Sequence, residues 1–460
     1  MTALTPRALA MRPLPALQIG HRPRLRAALA ALVLGASLGA PLATPEARAQ
    51  GWAPALPPNR PLTAPGAMAL PPQPSALAAP SLASQVSCPT LQQRLLAVIG
   101  SEAPVWSVSV ADPSGRLLAD VNGLQPRVPA SNQKLLSTAF ALDRLGPDFR
   151  LSTQLWRLSD GTLRLTGQGD PDLAVPQLQR FAKLVATTSA GQPVRLELAE
   201  LPSQAWWPQG WASGDRGMAY GAPVTRLAIT SNVIEEAVMN PPARLRTLLG
   251  RALTQQGARA DVNLVDANAP LPRDAVLVHE EPSTTMQGLL SLANTESHNF
   301  TAEVLLRSAA GTWNLAQAAR AQTDWLGSQG LPMQGVRIED GSGLSRTNRL
   351  TSRFLAALLL RMDQHPYGRD YLGSMAIAGQ RGTLRNLYKG TSLDGRLFAK
   401  TGTLTGVRSI SGVLLTSDGP RYVSAIANGA SAPNRTIGSL LRQVQDVSLC
   451  AGGSSVAPQF

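Results

Sequence analysis

The sequence predicts an α+β fold in which one sheet is flanked by helices, beside a helical cluster and a smaller inserted domain. Strand-like alternation of polar and apolar residues occurs near both ends of the apolar region, at 105–121 and 397–428. Helical spacing of apolar residues occurs at both ends and twice in between, at 90–100, 284–311, 349–362 and 436–449. Because sheets and helices bury their apolar faces against one another, a layered arrangement is expected.

The first 49 residues have the pattern of a cleaved secretion signal. Five arginines precede an apolar run, and Ala47 and Ala49 form a small-x-small cleavage site before Gln50. The alternative is a membrane anchor, but the run is short for a span of about 20 residues and is dominated by Ala and Gly. We therefore expect a periplasmic or secreted protein with no stable membrane span after cleavage.

Residues 50–87 are rich in proline, alanine and serine. Proline removes amide donors and fixes φ, so this composition favours neither a helix nor a sheet ladder. The segment is predicted to be an extended linker, with folded structure starting near Cys88.

The net charge is +13 for the whole chain and about +8 once the six arginines and one glutamate of the predicted signal are removed. An exported basic protein meets the anionic polymers of the cell envelope first. No nucleic-acid-binding motif accompanies the charge, so no nucleic-acid partner is expected.

Two cysteines, Cys88 and Cys450, stand at the two ends of the region expected to fold. In an exported chain such a pair favours a disulfide over two free buried thiols. The four histidines are scattered without the spacing of metal ligands, so the sequence predicts no metal site and no cofactor.

A peptidase-like domain is predicted to be discontinuous, comprising 88–164 and 276–460. Its first part contains a helix ending at Gly100, a hairpin turning at 112–115, a helix from Ser131 to Leu145 and a hairpin turning at 160–161. Its second part contains the helical stretch 284–311, a further helix at 349–362, two strands around a turn at 417–420 and a closing helix.

Residues 165–275 mix helical and strand patterns and are predicted to form the inserted domain. Trp206, Trp207 and Trp211 lie within six residues of one another. Because tryptophan buries a large apolar area, this cluster is expected to be local core rather than a ligand platform.

Ser131 and Lys134 are three residues apart, so a helix places them on one face. Serine needs a base to become a good nucleophile. Lysine can be that base only if its pKa falls from about 10.4 toward 7, which burial achieves. The apolar residues after Lys134 favour burial.

Lysine is rare in this chain, since only four of its 42 basic residues are lysines: Lys134, Lys183, Lys389 and Lys400. Arginine cannot serve as a base because its pKa stays above about 12. Arginine-favouring codon usage would explain the scarcity, but it predicts no particular position for the lysines that remain.

Lys400 opens a second notable stretch, "AKTGTLTG". The absence of a side chain at Gly402 lets a ligand lie close to a strand edge, where the hydroxyls of Thr401 and Thr403 and free amides are available. A third stretch, "ESHNF", offers Ser297 as a proton relay and Asn299 as a partner for a peptide amide.

The order Ser-x-x-Lys, Ser-x-Asn, Lys-Thr-Gly is typical of β-lactamases and penicillin-binding proteins. Further stretches are "GDPDL" at 169, "YGAPVTRLAITSN" at 220, "DGSGLSR" at 340 and "GTL" at 382. From about Cys88 to Cys450 the chain resembles the class C, low-molecular-mass penicillin-binding proteins, the D-alanyl-D-alanine carboxypeptidase/endopeptidase family.

This resemblance implies a penicillin-binding protein/β-lactamase-like transpeptidase fold. It also implies a serine carboxypeptidase that acts on peptidoglycan stem peptides through an acyl-serine and is acylated by β-lactam antibiotics. The implied nucleophile is Ser131, its base is Lys134, and Ser297 passes a proton to the leaving group. The implied substrate-binding residues are Asn299, Lys400, Thr401, Gly402 and Thr403, and the backbone amides of Ser131 and Thr403 would form the oxyanion hole.

Two features depart from the family pattern. His298 stands where the family usually has Asp, and the 163 residues from Lys134 to Ser297 are fewer than two inserted domains would need. The inserted domain is therefore predicted to be reduced.

Two alternatives remain beside the carboxypeptidase. A serine β-lactamase shares the three motifs, but no Glu-x-x-Leu-Asn stretch lies between the second and third motifs, and the insert between the first two is long. A non-catalytic wall-binding or penicillin-sensing protein is the other. The sequence leaves open the balance of carboxypeptidase and endopeptidase activity and the oligomeric state.

Overall fold

A computed structural model describes residues 81–450. The predicted signal and most of the predicted linker, together with residues 451–460, lie outside the described residues. The described part contains eleven strands: β1 (Trp106–Ala111), β2 (Leu117–Val121), β3 (Ser152–Arg157), β4 (Leu163–Gly167), β5 (Val194–Glu200), β6 (Ala260–Asp266), β7 (Val276–Pro282), β8 (Ala376–Ile377), β9 (Leu397–Leu404), β10 (Val407–Thr416) and β11 (Gly419–Asn428).

The same residues contain eleven α-helices: α1 (Pro89–Ile99), α2 (Lys134–Leu145), α3 (Val175–Thr188), α4 (Ser213–Arg216), α5 (Pro241–Gln255), α6 (Met286–Asn294), α7 (Asn299–Ala310), α8 (Leu315–Ser328), α9 (Ser352–Asp363), α10 (Gly368–Gly373) and α11 (Pro433–Gln445). None of these helices is long and apolar enough to cross a membrane.

The first sheet has six strands in the order β2-β1-β11-β10-β9-β8, and every neighbouring pair is antiparallel. Its centre joins the two ends of the domain, because Trp106 of β1 lies opposite Ala427 of β11. The prediction of two strands at 397–428 was wrong. The structure has three, because Thr405 and Gly406 (φ +73°) make a further tight turn between β9 and β10.

Helices cover both faces of this sheet. On one face α1 packs against α11, and buried side chains such as Leu91, Leu95 and Leu441 share a core with the strands. The Cys88–Cys450 disulfide, with a Cα–Cα distance of 5.4 Å, joins the two ends here and confirms the predicted pairing. On the other face α9 packs on β1 and β11, and α2, α6 and α7 form the predicted helical cluster.

The second sheet has five strands in the order β6-β5-β4-β3-β7. The strands β4, β5 and β6 are parallel, whereas β3 is antiparallel to both β4 and β7. The predicted hairpin turning at 160–161 forms as β3 and β4, but in this second sheet. Alternation in a sequence indicates a strand without indicating which sheet it joins. The limits predicted for the inserted domain, 165–275, stay a prediction, and this sheet also uses strands on either side of them.

Two other expectations change in detail. The last residues of the predicted linker already contact the first sheet. The amide of Ala83 donates to the Gly115 carbonyl and the amide of Ser87 to the Leu117 carbonyl, both at 2.8 Å.

In the tryptophan cluster, Trp206 and Trp211 are 8% and 2% exposed, as expected of core, whereas Trp207 is only half-buried.

The stretch 284–311 was predicted as one helical run, and this is wrong. It forms two helices, α6 and α7, separated at residues 295–298. Ser297 interrupts the run because its φ of +62° is left-handed, a conformation that cannot continue a right-handed helix. The interruption places Ser297 at the surface of the helical cluster, facing the first sheet.

Candidate active site

Ser131 lies in a short 3₁₀ turn, Ala130–Gln133, which leads directly into α2. Such turns are common at helix starts. The α2 helix is buried from Lys134 to Leu142, so the turn is held by a rigid element. Gly343 (φ +83°) allows a neighbouring loop to pack against this turn, since a Cβ there would lie 1.9 Å from the Ala130 carbonyl oxygen. Ser131 is thus fixed in position while its side chain stays partly exposed.

The side chain of Lys134 is fully buried and makes three hydrogen bonds. Its Nζ lies 2.9 Å from Ser131 Oγ, 2.6 Å from Asn299 Oδ1 and 2.7 Å from the Ser342 carbonyl oxygen. The last two atoms can only accept, so they fix two N–H bonds of the amine. In the neutral amine the remaining lone pair is directed toward the Ser131 hydroxyl.

Burial lowers the pKa of the Lys134 ammonium to about 7, while the charges of Asp340 and Glu303 act in the opposite direction. An amine with this pKa is largely neutral slightly above pH 7, which a general base requires. The geometry and the protonation of this pair are therefore compatible with the predicted roles of nucleophile for Ser131 and base for Lys134, which stay predictions.

A second serine–lysine pair lies on the other side of the site. Lys400, on β9, is fully buried, and its Nζ donates to Ser297 Oγ at 2.9 Å and to the Thr401 carbonyl at 2.8 Å. Burial, together with the charge of Lys134, holds the pKa of Lys400 well below its usual value. The left-handed conformation of Ser297 is what brings its hydroxyl to Lys400.

The strand β9 packs closely against the 3₁₀ turn that carries Ser131. Asn132 Nδ2 donates to the Lys400 carbonyl at 3.1 Å, and a Cβ at Gly402 would lie 2.8 Å from the Pro129 carbonyl oxygen and 2.1 Å from Ser409 Oγ. The close approach that Gly402 permits in this structure is therefore to protein atoms. β8 pairs with β9 only as far as Ala399, so no described strand pairs with the outer edge of β9 from Lys400 onward.

The two threonines of this strand are accessible. Thr401 Oγ1 donates to Thr383 Oγ1 at 2.8 Å, and the side chain of Thr403 is exposed. Thr383 belongs to the "GTL" turn, whose backbone is fixed by the bond from its amide to the Thr295 carbonyl at 3.1 Å. Hydroxyls and free strand amides therefore meet at this edge.

Asn299, the first residue of α7, uses its side chain internally. Its Oδ1 accepts from Lys134, and its Nδ2 donates to the Tyr220 carbonyl at 2.7 Å. This arrangement orients the Lys134 amine. The role in holding substrate that the resemblance implies for Asn299 stays a prediction.

His298 precedes it, with Nδ1 2.8 Å from Thr301 Oγ1. Burial and the charge of Lys134 lower the pKa of the His298 imidazole to about 4, so this ring is neutral at pH 7. The His298 side chain therefore adds no charge near Lys134 at neutral pH.

The eight residues singled out from the sequence meet in one region, with Ser131, Lys134, Ser297 and Lys400 at its centre and Asn299, Thr401, Gly402 and Thr403 around them. A comparison with known proteins places the chain in a family. A model of the D-Ala-D-Ala carboxypeptidase 3 (S13) family matches residues 91–243 and 233–441. The chain belongs to the S13 family.

Curated relatives agree with this assignment. A D-alanyl-D-alanine carboxypeptidase of an Actinomadura species is 27% identical over 433 residues, covering 72% of this chain and 79% of that protein. A carboxypeptidase of Mycobacterium tuberculosis is 30% identical over 369 residues, covering 71% and 79%. The predicted enzyme class, a serine-type D-Ala-D-Ala carboxypeptidase, is confirmed by the S13 match and these relatives.

Solved structures confirm the predicted fold. Penicillin-binding protein 4 of Haemophilus influenzae aligns with a TM-score of 0.66 at 19% identity, covering 79% of this chain and all of that one. The same protein has been solved in complex with a β-lactam, and that structure aligns with a TM-score of 0.60. At this identity the likeness supports the fold of the S13 member and not its specificity.

Two buried acids of this S13 member, Glu303 and Asp340, received no role from the sequence, although Asp340 opens the stretch "DGSGLSR". Glu303 Oε1 accepts from the amides of Gly341 and Ser342, both at 2.9 Å, and its Oε2 accepts from Arg307 at 2.7 Å. Asp340 accepts from the amides of Gly343 and Ser345 at 2.8 Å and 2.7 Å. Together they hold the loop whose Ser342 carbonyl orients Lys134. An acid four residues before an arginine on an apolar helix was the available signal for Glu303.

An open cleft of about 550 Å³ leads to the site of this S13 enzyme. Ser297, His298 and Asn299 line it on one side, and Tyr220, Thr230 and Ser231 line it on the other. Three consecutive residues here, Thr230 to Asn232, have left-handed φ values of +50°, +53° and +59°. Arg244 and several side-chain hydrogen bonds hold this unusual turn in place.

Proposed function

We propose that the protein removes the terminal D-alanine from peptidoglycan stem peptides through an acyl-Ser131 intermediate, in the periplasm or outside the cell. The observation that carries the proposal is the geometry of Lys134, a buried amine with two fixed acceptors and a third direction toward Ser131 Oγ. Family membership supports the substrate class.

In the first step Ser131 Oγ forms a bond to the carbonyl carbon of the penultimate D-alanine, and its proton moves to neutral Lys134. The oxyanion is stabilised by the backbone amides of Ser131 and Thr403. The C–N bond then breaks. Ser297 gives its proton to the leaving amine and is reprotonated by the proton that Lys134 took from Ser131, so Lys134 is neutral again and the Ser297 hydroxyl is restored.

The terminal carboxylate of the substrate binds at the edge of β9. Lys400 supplies positive charge when protonated, and the hydroxyls of Thr401 and Thr403 and the adjacent free amides supply donors. After D-alanine leaves, a water molecule attacks the ester carbonyl and gives its proton to the base, and Ser131 is released with its hydroxyl restored.

Export is part of this proposal. The amino-terminal sequence has the pattern of a cleaved signal, and the Cys88–Cys450 disulfide is a bond that persists in oxidising compartments. β-Lactam antibiotics are expected to acylate Ser131 by the same attack, because opening the ring uses the same nucleophile, base and oxyanion donors.

The experiment that tests this function distinguishes a carboxypeptidase from a β-lactamase and from a non-catalytic penicillin sensor. Purified mature protein is mixed with a labelled penicillin and, separately, with a pentapeptide ending in D-Ala-D-Ala and with a cross-linked peptide dimer. We expect a slowly lost penicillin adduct together with release of D-alanine, both abolished by Ser131→Ala. Cleavage of the dimer would add endopeptidase activity.

The alternatives predict other results in the same assay. A β-lactamase releases hydrolysed penicillin rapidly and yields no peptide product. A penicillin sensor is labelled and turns over neither substrate. Either pattern would overturn the proposed function.

A further inference from the structure

A second cleft, of about 570 Å³, lies apart from the catalytic one and shares no lining residue with it. Its walls are the loop at 204–210, the first half of α8 and the last turn of α7. Its volume is within the range of about 300–1,000 Å³ that is typical of ligand sites. The proposed reaction uses none of its residues.

Two half-buried indoles line this cleft, and both are held in place. Trp207 Nε1 donates to the Gly221 carbonyl at 3.0 Å, and the guanidinium of Arg216 lies 5.7 Å from its ring centroid. The guanidinium of Arg226 lies 5.0 Å from the ring centroid of Trp313. Rigid aromatic side chains provide contact area with little loss of conformational entropy on binding.

The third wall contains a buried cation with unused donors. Arg307 is only 2% exposed, and its Nη1 donates to the carbonyl and the carboxylate of Glu303 at 2.8 Å and 2.7 Å. Its Nε and Nη2 make no hydrogen bond within residues 81–450, and the side chain lines the cleft. Neither nitrogen is among the fully buried atoms that lack a partner, so both are accessible from the cleft and can donate to oxygen atoms of a ligand.

The remaining polar groups fit the same ligand. Gln204, Gln209 and Asn314 provide amides, and Arg320 provides an exposed cation. The carboxylate of Glu339 is paired with Arg337, and Arg307 is paired with Glu303. Among residues 81–450, Arg320 is therefore the charged lining side chain without an ion pair. A sugar ring with an apolar C–H face and a rim of hydroxyl and acetamido oxygens satisfies both the indoles and these donors.

We infer that this cleft binds the amino-sugar strand of the substrate polymer, so that the enzyme holds the glycan while a stem peptide occupies the catalytic cleft. This inference rests on the proposed function, because the stem peptides of peptidoglycan are attached to such a strand. Trp211, which directly follows the loop at 204–210, donates from Nε1 to Asp340 Oδ2 at 2.9 Å. This bond anchors the end of that loop to the loop whose Ser342 carbonyl accepts from Lys134.

The test uses calorimetry to measure binding of a peptide-free tetrasaccharide to the mature Ser131→Ala protein. The tetrasaccharide consists of alternating N-acetylglucosamine and N-acetylmuramic acid. Trp313→Ala and Arg320→Ala are expected to weaken binding about tenfold each. The matched controls, Trp156→Ala and Arg251→Ala, change a half-buried tryptophan and an exposed arginine outside the cleft and should not change affinity. Arg307 is left intact, because Glu303 needs its charge.

Two outcomes overturn the inference. One is no measurable binding of the tetrasaccharide, or equal affinity in all four variants. The other is binding of a free stem pentapeptide, in place of the tetrasaccharide, that Trp313→Ala weakens. Release of D-alanine from the pentapeptide by the unmutated protein is measured separately, so a failure of the proposed function is distinguished from a failure of the glycan site.

Discussion

Lys134 and Lys400 are two fully buried lysines, and neither forms an ion pair with a carboxylate in the described part of the chain. A buried ammonium without a counter-charge is costly, so burial favours the neutral amine. Each amine contacts a serine hydroxyl. At the scale of single residues, the site is thus built from two serine–lysine pairs, and the proposed base, Lys134, must be in its neutral form to act.

Replacing Lys134 by Arg leaves a permanently charged group that cannot accept the Ser131 proton, since arginine does not lose its own. We expect the rate of acylation by labelled penicillin to fall about 100- to 10,000-fold, the usual range for general-base catalysis. Lys389→Arg is the matched control, because Lys389 is exposed and belongs to none of the three motifs. An acylation rate in Lys134→Arg equal to that of Lys389→Arg would assign the base role to another group.

The pH dependence of acylation follows from the same amine. Burial lowers the pKa of Lys134 to about 7. The protonated form is inactive as a base, so the acylation rate should rise with pH, reach half its maximum near pH 7 and level off above it. His298→Asp adds a carboxylate where a neutral ring now interacts with Lys134, and it should move this midpoint up by about one pH unit.

His298→Asn supplies the control for that shift, because it changes the side chain without adding charge. The pH profile of acylation is recorded for all three proteins under identical salt. A midpoint that is unchanged in His298→Asp, or equally shifted in His298→Asn, would contradict the electrostatic explanation.

At the scale of secondary-structure elements, the site depends on how closely β9 approaches the turn that carries Ser131. Gly402→Ala would place a Cβ 2.8 Å from the Pro129 carbonyl oxygen and 2.1 Å from Ser409 Oγ. We expect a loss of about 1–3 kcal/mol in the free energy of unfolding, measured in urea, and slower acylation. Both follow because β9 must move away from the turn.

Gly250→Ala is the control for Gly402→Ala. Gly250 lies within α5, and a Cβ there meets no heavy atom within 4 Å. This change should stabilise the protein by up to about 1 kcal/mol, because alanine favours a helix over glycine. Unfolding curves for Gly402→Ala that match the unmutated protein would show that β9 accommodates the methyl group.

Features that depend on residues close together in the sequence were predicted, whereas features that depend on contacts between distant residues were not. Ser131 and Lys134 share one helical turn, and the Lys-Thr-Gly stretch is contiguous, so local patterns were enough to find them. The break before α7 depends on a left-handed serine, a conformation for which serine carries no strong signal. Glu303 accepts hydrogen bonds from a loop that lies almost forty residues farther along the chain, and the Ser342 carbonyl of that loop accepts from Lys134. Asp340 lies in the same loop and accepts from its amides. The spacing of residues in the sequence does not reveal contacts of this kind.

At the scale of the whole molecule, the disulfide joins residues that are 362 positions apart. In the chain-entropy model, closing a loop of this size strongly reduces the conformational entropy of the unfolded chain. Removal of a native disulfide lowers the free energy of unfolding by about 2–5 kcal/mol. We expect Cys88→Ser to lower the melting temperature and to make it insensitive to reductant. The unmutated protein, heated with reductant, should melt at the temperature of Cys88→Ser.

Thiol titration of the unreduced, unfolded protein provides an independent measurement. We expect no free thiols before reduction and two after it. Two thiols without reductant, or a melting temperature of Cys88→Ser equal to that of the unmutated protein, would argue against a stabilising bond.

The pairing of β1 with β11 also sets an order of events during synthesis. A chain that emerges amino terminus first delivers Ser131 and Lys134 early, but Trp106 must wait for Ala427 before the centre of the sheet can close. Such distant pairings make folding slow, because a long segment must be ordered before the contact forms. Lys400 lies on β9, so the pair that it forms with Ser297 cannot be assembled until most of the chain has been synthesised.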